Sequence, residues 1–130
     1  MFVCRNAGKI VDDDILGTIE YGTEHLGSSL VVVMGHKRCG AVTAACDKVQ
    51  NGEKLDGLVG NLVEAIVPAA EAMMGRDGDF VANTVRENAL RNAETILSRS
   101  DAVKGLVAAA KLKVIYAVYD IDSGEAQFAG

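Results

Sequence analysis

The sequence predicts an α/β fold, a mostly parallel central sheet flanked by helices, on three observations. The run Leu30–Met34 is continuously apolar and rich in valine, and it stops at Gly35. A second long, mostly apolar run, Leu112–Ile121, stands near the C-terminus. Before and between these runs, apolar residues recur at helical spacing. Strands alternating with helices give layered folds, and in such sheets ligands collect beyond the carboxyl ends of the strands.

Composition sets the bounds. A chain of 130 residues, 49% hydrophobic and with one proline, reads as a single domain over residues 1–130 that can bury a core. The formal charge is −5, and Lys and Arg form no basic stripe, which argues against nucleic acid and anionic membrane as partners. No apolar run reaches the roughly 18 residues of a membrane span. The start "MFVCRNAGK" lacks the apolar core of a signal peptide, so a cytoplasmic location is expected. The three cysteines, Cys4, Cys39 and Cys46, are odd in number and widely spaced. That pattern suits a reducing compartment, with thiolate or metal chemistry rather than a disulfide framework.

Element by element, "MFVCRNAG" fits a short strand ended by Gly8. Asp12–Asp14 cap a helix that carries Ile15, Leu16, Ile19 and Leu26 at helical spacing and ends near Gly27. "SLVVVMG" has the continuous apolarity of a strand buried on both faces. "AVTAACDKVQNG" is a short helix closed by Asn51 and Gly52. Residues 58–74 keep helical spacing with a break at Pro68. A helix from Asn83 places Val85, Ala89, Ala93, Ile96 and Leu97 on one face, and "DAVKGLVAAA" adds a further helix. "LKVIYAVYDI" is a strand, and "DSG" turns it into a last short strand, "EAQF".

The chemistry concentrates at "GHKRCG". His36 and Cys39 follow the Val31–Val33 strand directly, and Gly35 and Gly40 permit the turn between them. An imidazole nitrogen and a thiolate select a borderline-soft metal, zinc above all. Read on spacing alone, the pair is better described as a helix N-terminus with a core cysteine and a solvent-facing histidine, because short His/Cys pairs are weak motifs. A catalytic zinc takes three protein ligands and an open water position. Cys4, near the start of the chain, is a candidate third ligand, with a small buried hydrophobe as its plain alternative. Among the other residues, Asp12–Asp14 are accounted for by capping, His25 by a helix C-terminus, and Cys46 by the core.

Several blocks in order resemble the β-class carbonic anhydrases: Arg5-Asn6-Ala7-Gly8, the Gly17–Tyr21 helix, Gly35-His36 with Cys39-Gly40, and Tyr119-Asp120 with Gly124. The resemblance runs over nearly all of the chain and implies a zinc lyase interconverting carbon dioxide and bicarbonate. It implies His36 and Cys39 as zinc ligands. Gly40 matches the small residue that lets the helix start close to the metal, and is a substrate-contact candidate. It further implies a homodimer or higher homo-oligomer. In that family the third ligand belongs to a Cys-x-Asp-x-Arg segment ahead of the Arg-Asn-Ala-Gly turn. This sequence has Met1 just before that turn, so the first strand and N-terminal helices of the family are expected to be missing. The neighbouring strands then either close the gap or leave backbone groups unpaired. The second functional class compatible with the sequence is a non-catalytic fold of this type, an anion-binding or assembly module.

Overall fold

A computed structural model describes residues 1–130. Asp12 opens the first helix, α1 (Asp13–Glu24), by accepting a hydrogen bond from the Ile15 N–H. Gly27, at φ 72°, then turns the chain into β1 (Leu30–His36). Next come α2 (Gly40–Asn51), α3 (Gly57–Glu64) and α4 (Val67–Met73), with Pro68 in the first turn of α4. Helices α5 (Phe80–Arg99) and α6 (Asp101–Ala108) precede the strands β2 (Lys113–Tyr119) and β3 (Ala126–Ala129). The sheet has three strands in the order β1-β2-β3. The parallel pair runs in register from Leu30 opposite Lys113 to His36 opposite Tyr119, and β3 returns antiparallel to β2.

The sheet leans on α5. Odd-numbered β1 residues face this helix: Val33 packs with Ala89, Ala93 and Ile96, and Gly35 lies against Val85. Helices α1 and α6 close the same core with Leu16 and Val103. A second apolar cluster forms where α2 and α4 meet α5, with Val42, Ala45, Ile66 and Val85 essentially inaccessible. α5 therefore contributes to both cores, with Val85 on one side and Ala89, Ala93 and Ile96 on the other.

Three expectations are corrected. Residues 1–6 form no strand; Ala7–Lys9 make a single 3-10 turn, and the outer edge of β1 has no strand beside it. An extended segment becomes a strand only by pairing, and this one lies elsewhere, with the Phe2 ring 6.4 Å from the Tyr21 ring of α1. Secondly, β1 is covered on one face only. Leu30 is 51% and Met34 43% exposed, because no helix of this chain crosses their side of the sheet. Thirdly, α5 starts at Phe80 rather than Asn83: the Asp79 carboxylate accepts from the Ala82 N–H at 2.7 Å and sets the helix start there.

Candidate metal centre

The loop after β1 is built by three devices. Gly35 lets the strand press against α5, where a Cβ would stand 3.0 Å from the Val85 side chain. Arg38 takes a left-handed backbone, φ 54°, which folds the chain back so that Cys39 becomes the N-cap residue of α2. The loop is then tied to the β2–β3 turn. The Lys37 N–H donates to the Tyr119 carbonyl at 2.9 Å, the Lys37 ammonium donates to Asp120, and Arg38 donates to Asp122 at 2.9 Å. Asp120 also accepts from the backbone N–H groups of Asp122 and Ser123, so one carboxylate shapes the turn and holds the loop. The hydrogen bond from Lys37, together with that from the Asp122 N–H, pulls its carboxyl down to about 2.

His36 is half-buried, with Nδ1 2.9 Å from the Lys37 carbonyl oxygen. A carbonyl only accepts, so in the neutral ring this contact assigns the proton to Nδ1 and leaves the lone pair on Nε2, the arrangement of a histidine ready for a metal. Cys39 is 4% exposed and packs with Val42, Ile66 and Val85. Gly40 opens α2, and a Cβ there would meet nothing within 4 Å. The three cysteines are free thiols.

The third ligand expected at Cys4 is not gathered. Cys4 is half-buried in the irregular N-terminal segment, and burial raises its thiol pKa. No set of three or more His, Cys, Asp or Glu side chains is placed to share one ion. His36 and Cys39 have the donor chemistry zinc prefers, but two donors fall short of the three a catalytic zinc takes. The residues present do not make a complete zinc site. The remaining assignments behave as ordinary structure. Asp12 caps α1, with Asp13 and Asp14 in its first turn; His25 ends α1 beside Tyr21; Cys46 is buried, its thiol raised by burial.

Sequence reasoning passed over Lys9. Its amine has no accessible surface and no hydrogen-bond partner, and its Cε lies 3.3 Å from where a Gly35 Cβ would stand. Burial lowers its pKa while the nearby Cys39 charge works in the opposite direction. A lysine in a short polar turn is by default a surface residue. The one sequence signal is its place directly after Gly8 and before the apolar pair Ile10-Val11.

The family model for carbonic anhydrase matches residues 1–126. The chain belongs to the β-class carbonic anhydrase family. It is 35% identical over 128 residues to carbonic anhydrase 2 of Mycobacterium tuberculosis, covering 97% of this chain and 61% of that protein. It is 33% identical over 131 residues to the carbonic anhydrase of Mycolicibacterium smegmatis, covering 98% of this chain and 62% of that one. The carbonic anhydrase fold is equally plain in three dimensions. A tetrameric β-carbonic anhydrase of Sordaria macrospora superposes with a TM-score of 0.77 at 24% identity, over 99% of this chain and 68% of that one. The β-carbonic anhydrase of Coccomyxa, solved with acetazolamide, gives 0.80 at 24% identity, over 97% and 59%. The chain thus spans about three fifths of the length of its mycobacterial relatives.

Proposed function

We propose that this chain serves the reversible hydration of carbon dioxide to bicarbonate, the activity named for its relatives, with zinc as the cofactor. The observation that carries the reading is the loop beyond β1. His36 keeps a lone pair on Nε2 by giving its other nitrogen to the Lys37 carbonyl, and Cys39 follows three residues later at the start of α2. Gly40, with open space beside it, is the substrate-side position of this reading. A third donor has to come from outside the loop. Cys4, which is not gathered with His36 and Cys39 into a three-donor set, is the candidate from the N-terminal segment. Zinc content and stopped-flow carbon dioxide hydration by the purified chain, with and without added zinc, test the proposal. Cys4→Ala with unchanged zinc content removes Cys4 from the ligand set. Catalysis that is zinc-dependent and lost in His36→Ala supports the reading, and no hydration at saturating zinc overturns it.

A second reading, a non-catalytic carbonic anhydrase-like module, is favoured by the buried amine of Lys9 at the same loop. It expects the fold without hydration activity.

We also propose assembly of like copies through the open side of the sheet, where Leu30, Met34 and, on β3, Phe128 at 61% are exposed together. Sedimentation equilibrium of the parent and Met34→Lys tests this, with dissociation of the variant expected and an unchanged mass against it. No helix of the chain is long and apolar enough to cross a membrane. A cytoplasmic setting, which would keep the three thiols reduced, belongs to the same proposal.

A further inference from the structure

We propose that the corner between α5 and β3 is a binding site for a small organic carboxylate with an apolar body, in which Arg86 holds the carboxylate and Tyr116 and Gln127 hydrogen-bond to it. None of these residues belongs to the metal loop, so the inference stands apart from the reading of His36 and Cys39.

The corner follows from the widths of the two layers. α5 packs on β1 and β2, and no helix covers β3 to a comparable extent. The sheet is therefore one strand wider than the helix layer on it, and a step is left beside α5. Strand register supplies the floor of that step. Tyr116 and Val118 stand opposite Val33 and Gly35, the β1 residues that face α5, and on their other side opposite Ala129 and Gln127 of β3. Alternation along the strands puts all four on the helix side of the sheet. Together with Arg86 of α5 and Phe128 they line a recess of about 130 Å³.

The chemistry of the lining selects the ligand. Arg38, Arg91 and Arg99 each hold a carboxylate of this chain, whereas Arg86 holds none, and no Asp or Glu lines the recess. Glu87, next to it on α5, accepts from Arg91 instead. The Tyr116 phenol and the Gln127 carboxamide have no hydrogen-bond partner in the chain, although Tyr116 is half-buried. Tyrosines drawn out of water ordinarily have one. A guanidinium fork matches a carboxylate through two parallel hydrogen bonds, and a phenol O–H and an amide N–H add further donors. Val118, Phe128 and Ala129 supply the apolar wall. The space suits a body up to the size of one ring, since a cavity of about 150 Å³ accommodates benzene.

Benzoate is titrated into the full chain and followed through the backbone amide resonances. The expected result is a saturable set of shifts centred on Tyr116, Val118 and Gln127, with a Kd in the millimolar range. Arg86→Gln is expected to weaken binding by about tenfold or more, and Tyr116→Phe by about threefold. Ala129→Phe, which fills the recess and keeps the guanidinium, should abolish it. Two further ligands test the site without any substitution, so the outcome does not depend on a variant folding. Acetate has the charge without the ring and benzyl alcohol the ring without the charge, and each should bind at least about tenfold more weakly than benzoate. Acetate binding as well as benzoate would reduce the site to an exposed arginine and overturn the proposal. Shifts that do not saturate, shifts centred elsewhere, or undiminished binding in Arg86→Gln or Ala129→Phe overturn it too.

Discussion

Asp120 joins two parts of the molecule with one carboxylate. It accepts from Lys37 on the metal loop and from the N–H groups of its own turn. Its folded pKa of about 2 lies below the ordinary 3.8, so its contribution to stability is fully present above about pH 5. That contribution fades as pH falls through 3.8 toward 2. Asp120→Asn keeps an oxygen for the turn and loses the charge. Denaturation midpoints of parent and variant are expected to differ by a constant amount at neutral pH and to converge as pH falls to about 2. Asn88 acts by burial instead. Its amide donates to the Gly8 carbonyl, its oxygen accepts from Asn92, and the Asn92 oxygen in turn accepts from the Val11 N–H. Asn88→Ala leaves a buried carbonyl unpaired and is expected to cost about 1–3 kcal/mol in urea unfolding.

Among the elements, the turn Ala7–Lys9 decides how the chain enters the fold. Gly8 combines φ 75° with a contact in which a Cβ would stand 2.7 Å from the Ile66 Cδ1, and Ile66 is fully buried in α4's cluster. Gly8→Ala is expected to lose about 2–4 kcal/mol, from the left-handed backbone and the forced shift of Ile66 together, read as a lowered urea midpoint at unchanged slope. The helices and the three strands of the sheet were legible because their signals are local. Asp12 caps α1, Gly52 at φ 73° ends α2, and the spacing of Val85, Ala89, Ala93 and Ile96 marks α5. What a strand pairs with is not local. "MFVC" has strand composition and no strand beside it, and the valines of β1 gave no sign that one face would stay open. At the site, the His36–Cys39 spacing was readable from the glycines around it. The inward Lys9 was not, since its direction follows from a turn locked by Asn88, 80 residues further along the chain.

At the level of the whole molecule, the architecture is a small sheet with helices on one side and an apolar surface on the other. The loop that holds His36 and Cys39 is fastened to the β2–β3 turn by Lys37–Asp120 and Arg38–Asp122. Arg38–Asp122 is exposed at both ends and adds little stability, so the placing is done by Lys37, through its ion pair to the partly buried Asp120 and its backbone bond to Tyr119. The sharing of α5 between both apolar clusters has a thermodynamic consequence. A helix that supplies Val85 to one core and Ile96 to the other cannot melt from either without exposing both. Heating should therefore produce a single endotherm with equal calorimetric and van't Hoff enthalpies. Ile96→Ala, expected to cost about 2–5 kcal/mol, should displace that endotherm as one peak rather than split it. Two resolved peaks would mean that the clusters unfold as separate units.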